Sequence, residues 1–555
     1  MAADLEGCPA AQGRDRTPVV LAAATLAAVA LALAVMYLAG LPGVDAAAHA
    51  YKTGLVARRQ SLLWDDLWYG GSYGVVVYGV VFYLAAALVG VVPVVLVSAG
   101  LLPPLFHLYV RRSWGMHSAL PAACLAAVTV AYLLNGQAPF LLAMALTLLG
   151  LVLFAGGRPL WAALPIGVAA FTNPVAVVAG AVFLVAEAIA RPAARRSLVV
   201  LVAGLVPFAL LWTGVQLAFR ARAGYLAQPG ELLKWTAVAA AGVVLAHFSN
   251  DPQRRVKRAV FAVAGAVCLA AIVVPGELGN NAARFLALFA LPMLLTVRAP
   301  RLPKAATAAL LAVAAAAQLA APLTDLARAG DRAQTSKAFF TPALAFATSH
   351  ESPDYRCHVV ALRLHWEAAY FPEAGLAITR GWFRQDDWLH NQVLYERPTP
   401  ARYVAWLRDC GVRDVFVPHA ALDMSSADEP NLIARSGAFV RVFESAGWTV
   451  YRLRSSSPLV VDAADGPAST EAPASVGAAV VAMGHATVTL AVARPGAYLV
   501  KLTWTPYWRL AGPPGAGSSG LARGPGDWTL LRASREGRYV LQARFDLRTA
   551  LRQIF

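Results

Sequence analysis

Long uncharged runs broken by short basic clusters fill the chain up to about residue 321, and a different, alternating pattern follows. Residues 18–40 form the first run, long enough to cross a bilayer, which needs about 20 apolar residues. A cleavable signal has an apolar core of only about 7–15 residues, so this one reads as a retained span. The run from Tyr73 to Val110 is too long for one straight crossing and too short for two. A span at 88–110, with residues 74–87 lying in or re-entering the outer face, fits it. Further spans fit near 116–134, 138–156, 159–172, 174–190, 197–219, 233–248, 259–275, 279–297 and 304–321, for about eleven crossings.

Charge orients this bundle. Arg14 and Arg16, Arg111 and Arg112, Arg158, Arg191, Arg195 and Arg196 fall on one side of the count. So do Arg254, Arg255, Lys257 and Arg258, then Arg298, Arg301 and Lys304; Arg220 and Arg222 are the exception. Basic loops are retained in the cytoplasm, which puts the N-terminus inside and residues 322–555 outside. The outward connections, at 41–87, 135–137, 171–174, 220–232 and 275–284, are where Asp, Glu, Asn and Gln gather.

Past the bundle, 356–363 and 413–418 read as strands, 398–410 and 427–436 as helices, and 438–454 as a strand pair. That is an α/β domain over 322–460. A Pro/Ala/Ser/Gly stretch at 462–476 reads as a linker. Beyond it, 478–494, 497–505, 527–532 and 537–546 alternate in period two between glycine-rich turns, so 461–555 reads as a β-sandwich.

Composition sharpens the class. The 555 residues are 58% hydrophobic and 14% charged, where soluble domains carry about a quarter charged residues. The net charge of +16 could suggest nucleic acid, but the basic residues punctuate apolar spans, so nucleic acid is not an expected partner. Of five cysteines, Cys357 and Cys410 are the one pair placed outside; two unrelated thiols is the reading preferred.

Candidate chemistry lies on the outward face. Asp45 and His49 are four apart, so on a helix they share a side and suit general-base work or a divalent metal. From spacing alone the preferred reading is that Asp45 simply caps that helix. Asp65 and Asp66 stand among Trp64, Trp68 and Tyr69, either a sugar-stacking platform or interfacial anchors. The run after Arg284 is too short to span, so the crossing begins near Gly279 and Arg284 sits about 7 Å deep. There it either binds a lipid phosphate or snorkels to the headgroups. Glu277, Asn280 and Asn281 lie beside it, and Asn135, Gln137 and Asn173 line the cavity or merely turn the chain. No Walker loop, dinucleotide fingerprint, zinc spacing or nucleophile elbow is present.

The run GVDAAAHAYKTGLV, followed by LWDDLWYGGSYGVVVYGVVFYL, resembles the first outer loop of the GT-C superfamily of polytopic membrane glycosyltransferases. NGQAPFLL, FTNPVA and GNNAARFLALFALP are similar to later segments of actinobacterial envelope-type members, as are HWEAAYFPE, LAITRGWFRQDDW and WTPYWRL in the tail. The resemblance implies a polyprenyl-phosphate sugar donor and a loop acid, matched by Asp45. Many members carry paired acids at that place, whereas Ala46 follows Asp45 here.

The expectation is therefore a polytopic α-helical, GT-C-like protein of the cytoplasmic membrane, 1–321, with outer α/β and β-sandwich domains. It would move a sugar from a polyprenyl-phosphate donor, a membrane lipid, to an envelope glycan or protein acceptor in cell-wall biogenesis. Asp45 would take the acceptor proton, with His49 orienting it or helping to hold Mg or Mn, and Arg284 would stabilise the departing phosphate. A transporter or flippase, and a non-catalytic scaffold, are the alternatives; acids in outer loops and the lack of repeated halves argue against transport.

Overall fold

The computed structural model describes residues 16–41, 43–219, 227–274, 276, 278–327, 332–465 and 477–555. Arg14, Arg220, Arg222, Glu277 and most of the 462–476 linker lie outside the described residues.

The apolar runs become helices, six of them opened by a proline at the first or second position, where its missing N–H has no helical partner to lose. In order they are α1 (Thr17–Ala39), the loop helix α2 (Ala46–Ala57), α3 (Val80–Val89), α4 (Val91–Trp114), α5 (Leu120–Tyr132), α6 (Ala138–Ala155) and α7 (Pro159–Thr172). Then follow α8 (Pro174–Ala190), α9 (Ala194–Phe219), α10 (Pro229–His247), α11 (Arg254–Val273), α12 (Arg284–Leu294) and α13 (Lys304–Ala327). Seven of these, α1, α4, α6, α9, α10, α11 and α13, are long and apolar enough to cross a membrane. Each of the eleven expected spans has a helix, and the long Tyr73–Val110 run is divided at Gly90 into short α3 and long α4.

The apolar surface is distributed as hydrocarbon solvent requires. Leu31 and Leu38 on α1, Leu210 and Leu211 on α9 and Leu323 on α13 are exposed, which only lipid satisfies over such lengths. Inside, Phe106, Phe183, Phe285 and Phe289 from α4, α8 and α12 pack ring to ring, Phe183 standing 5.1 Å from Phe285.

The first loop carries two short strands, β1 (Trp64–Asp65) and β2 (Ser72–Tyr73), and two strand-rich domains cap one end of the bundle. In the first, a sheet of β3 (Arg356–Val359), β4 (Val412–Pro418), β5 (Phe439–Glu444) and β6 (Trp448–Leu453) has the order β3-β4-β6-β5, with β3 and β4 parallel. Around it lie α14 (Lys337–His350), α15 (Glu367–Glu373), α16 (Arg384–His390), α17 (Gln392–Tyr395), α18 (Pro400–Asp409) and α19 (Glu429–Ser436). Cys357 and Cys410 are free thiols.

The second domain is a sandwich of two four-stranded sheets. Its strands are β7 (Val460–Asp462), β8 (Ala478–Met483), β9 (Thr487–Val492), β10 (Gly496–Thr503), β11 (Trp508–Ala511), β12 (Gly520–Arg523), β13 (Trp528–Ala533) and β14 (Gly537–Ala543). The sheets run β12-β13-β10-β7 and β11-β14-β9-β8. The 478–494 stretch is a hairpin, because Gly484 and His485 interrupt its alternation. A last helix, α20 (Leu547–Ile554), follows.

The first loop is pinned to both domains. It carries a two-stranded hairpin pairing Trp64 with Tyr73 and Asp65 with Ser72, here called the loop hairpin. Trp64 belongs to the sandwich core, and Trp68 to the α/β core, where its indole N–H donates to the Ala368 carbonyl at 2.8 Å. Backbone bonds complete the joint: Asp66 N–H to His485 O at 2.6 Å, Ile378 N–H to Leu67 O at 2.9 Å and Thr503 N–H to Gly70 O at 2.7 Å.

Candidate functional site

Asp45 stands where the chain turns into α2. Beneath that turn, Gly43 (φ +86°) meets Gly136 (φ +70°) backbone to backbone; a Cβ on Gly43 would lie 2.6 Å from the Gly136 Cα. Glycine alone accepts both the left-handed angle and this approach, so the 135–137 turn fixes where Asp45 sits. Asp45 occupies the N-cap position of α2, yet its side chain makes no capping hydrogen bond. It accepts instead from the Trp382 indole N–H at 2.9 Å. The residue lines a cavity of about 1020 Å³ between bundle and domains.

Arg284 lines the same cavity, with Asn281, Asn173, Tyr78, Lys52 and Asp386. It opens α12 directly after a 3₁₀ turn, Gly279–Ala283, so the helical path begins at Gly279 as expected. The side chain is half-buried, with its guanidinium 5.4 Å from the Phe140 ring centroid. Among the described residues it makes no hydrogen bond or ion pair. Its forked donors thus remain free to hold an anion in the cavity, and their geometry matches phosphate. Asn173 caps α8, accepting from Val175 N–H at 3.0 Å, and donates to the Tyr78 hydroxyl at 3.0 Å.

Burial raises the Asp45 carboxyl above its ordinary value, while the Arg284 charge and the Trp382 hydrogen bond pull it back down. Burial also raises Asp386, opposed by Lys52, and lowers Lys52, opposed by Asp386 and Asp65. Trp382 is itself held. It stacks on His365 and lies under the Arg384 guanidinium, 4.8 Å from its ring, and Arg384 forks onto Asp423 at 2.7 and 2.6 Å. The Trp382 N–H stabilises the carboxylate form of Asp45 more than the protonated one. In Trp382→Phe the Asp45 pKa therefore rises, and any reaction needing the carboxylate has the acid limb of its pH–rate profile displaced to higher pH. A limb that stays in place would show that Asp45 does not titrate in that reaction.

The other sequence candidates divide sharply. Trp64 and Tyr69 line the cavity. His49 does not: it is buried among Phe82, Tyr83 and Phe383, with Nδ1 3.0 Å from the Tyr83 hydroxyl, and burial, chiefly, drives its pKa down to about 3. The ring thus packs among aromatics beside the cavity wall, with Nε2 buried and without a hydrogen-bond partner among the described residues. Asp65 and Asp66 face inward as well. Asp65 accepts from Tyr51 at 2.7 Å beside His485, Asp66 accepts from the Trp64 indole at 2.8 Å, and with Trp68 they anchor the loop. Neither they nor Trp68 line the cavity. Gln137 accepts from Tyr132, Asn280 ties to Gln228, and Asn135 ends the turn under Asp45, all three away from the cavity wall.

Lys52, Tyr78, Trp382 and Asp386 escaped the sequence reading. Lys52 had a sign, since 45, 49 and 52 repeat at helical spacing. Asp386 and Asp387 are adjacent acids in FRQDDW, and nothing local says which faces the bundle. Asp387 turns inward, receiving Arg380 at 2.9 and 2.5 Å, and that ion pair holds its pKa low despite burial. Among the described residues no group of three or more His, Cys, Asp or Glu is disposed to hold a metal.

No family model matches this chain, and no curated protein sequence matches it. Among solved structures it is similar to ArnT from Cupriavidus metallidurans bound to undecaprenyl phosphate, at 14% identity and TM-score 0.40, over 79% of this chain and 98% of that one. The apo form of the same protein gives 14% identity and TM-score 0.39, over 77% and 98%.

Proposed function

We propose that this chain is an inverting membrane glycosyltransferase that moves a sugar from a polyprenyl-phosphate donor to an acceptor hydroxyl at the outer face of the cytoplasmic membrane. One observation carries the reading: Asp45, from the first loop, and Arg284, from the start of α12, line a single cavity at the end of a membrane bundle. A base and an unpaired guanidinium in one cavity are what displacement at a phosphate-linked anomeric carbon requires.

In the proposed step the Asp45 carboxylate takes the proton of the acceptor hydroxyl as its oxygen bonds to the anomeric carbon. The bond from that carbon to the phosphate oxygen breaks on the opposite face, its electron pair leaves with the polyprenyl phosphate, and Arg284 receives the developing charge. Asn173 and Asn281 offer neutral hydrogen bonds along the wall, and Trp382 orients the base. The outer placement of this end rests on the basic-loop pattern.

Incubating membranes that contain the protein with a panel of labelled polyprenyl-phosphate sugars tests the proposal. One donor is expected to lose its label to an acceptor with inversion at the anomeric carbon. No turnover with any donor, together with movement of intact lipid or glycan across vesicles of purified protein, would replace the transferase by a transporter.

A further inference from the structure

The cavity does not stop at Asp45 and Arg284. The same cavity is also lined by Tyr69, by Trp406 and Asp409 of α18 and by Trp504 and Trp528 of the sandwich, a wall here called the arm. We infer that this arm binds a saccharide chain, which makes the acceptor a glycan; the inference builds on the transferase reading above.

The wall has the mixed chemistry of a sugar. All three indoles are half-buried and line the cavity, Trp528 with the Arg356 guanidinium 5.7 Å from its ring, and an aromatic face is a flat apolar surface suited to the C–H face of a pyranose. The indole N–H groups of Trp406 and Trp504 make no hydrogen bond among the described residues, whereas that of Trp528 lies 3.4 Å from Asp409 Oδ1. Donors, a carboxylate and apolar faces therefore alternate within one groove. An acyl chain would leave these polar groups unmatched on burial, at a free-energy cost.

A second feature points to a ligand independently. Tyr69, 5% exposed and lining the cavity, keeps its hydroxyl without a hydrogen-bond partner. Its ring is locked by stacking on His390 at 4.7 Å, and its backbone is held at φ +58°, costly for a residue with a side chain. Buried hydroxyls are normally paired. Tyr69 lines the same cavity as Asp45 and the three indoles, so its unpaired hydroxyl is a partner on offer to a sugar hydroxyl. The glycan would lie along the indoles with its terminal residue reaching Asp45.

Calorimetric titration of the purified full-length protein in nanodiscs tests this, with no donor present. The titrants are neutral linear hexasaccharides of gluco, manno, galacto and arabino configuration. At least one is expected to bind. Trp504→Ala and Tyr69→Phe are each expected to weaken it about tenfold, the scale of one lost buried contact or hydrogen bond. Tyr69→Phe removes a single oxygen and guards against a folding artefact. Absence of binding by every hexasaccharide, or affinities unchanged in both variants, overturns the inference. Binding that persists while no donor is ever turned over retains the saccharide site and removes the transferase; turnover without saccharide binding does the reverse.

Discussion

Asp45→Asn is expected to lower sugar transfer by about 10²–10⁴-fold, the range contributed by a positioned general base. The substitution is nearly isosteric, and the new amide oxygen can still accept the Trp382 N–H, so the chamber keeps its shape. What is lost is the capacity to take a proton. The rate should be measured in membranes and normalised to the amount of membrane-embedded protein, which should not change. Undiminished transfer would remove Asp45 as the base and direct attention to Asp386, a second carboxylate lining the cavity.

Arg284→Gln is expected to cost about 10²–10³-fold, as when one preorganised donor to a developing anion is removed. A second consequence separates a chemical role from a structural one. The Arg284 charge holds the Asp45 pKa down, so removing it stabilises the protonated acid. In the proposed step Asp45 works deprotonated, and the acid limb of the pH–rate profile is therefore expected to move to higher pH. Arg284→Lys should restore the position of the limb but only part of the rate, because an ammonium keeps the charge and loses the fork. A variant that is slower with its limb unmoved would mean that the guanidinium does not act on Asp45 in the proposed step.

The membrane half was readable because hydrocarbon imposes a length rule that each run must obey, and every expected span has a helix near its place. The α/β domain was readable for a related reason. Its strand and helix periods differ, and PTPARYVAWLRDC and RDVFVP show each cleanly. The site was legible only where a residue's neighbours in sequence are its neighbours in space. Asp45 beside an apolar run and Arg284 before one that is too short are local signs. Whether Asp65 or Asp386 faces the chamber depends on partners more than three hundred positions away, His485 for the former and Lys52 for the latter. The surroundings of His49 were hidden on the same ground. Helical spacing places it on the side of Asp45, but Phe383, from the α/β domain, closes over it.

The pinning of the first loop sets an order of events during synthesis. Trp68 precedes the carbonyl that receives its indole by 300 residues, and Asp45 precedes Trp382 by 337. At about 5–20 residues per second of translation, the hairpin waits roughly 15–60 seconds for its partners to emerge. During that interval Trp64 and Trp68 have no core to enter, and Asp45 has no indole to orient it. The chamber is thus completed only after the C-terminal domains have been delivered to the same side, so a nascent chain stalled midway carries its spans but no finished centre.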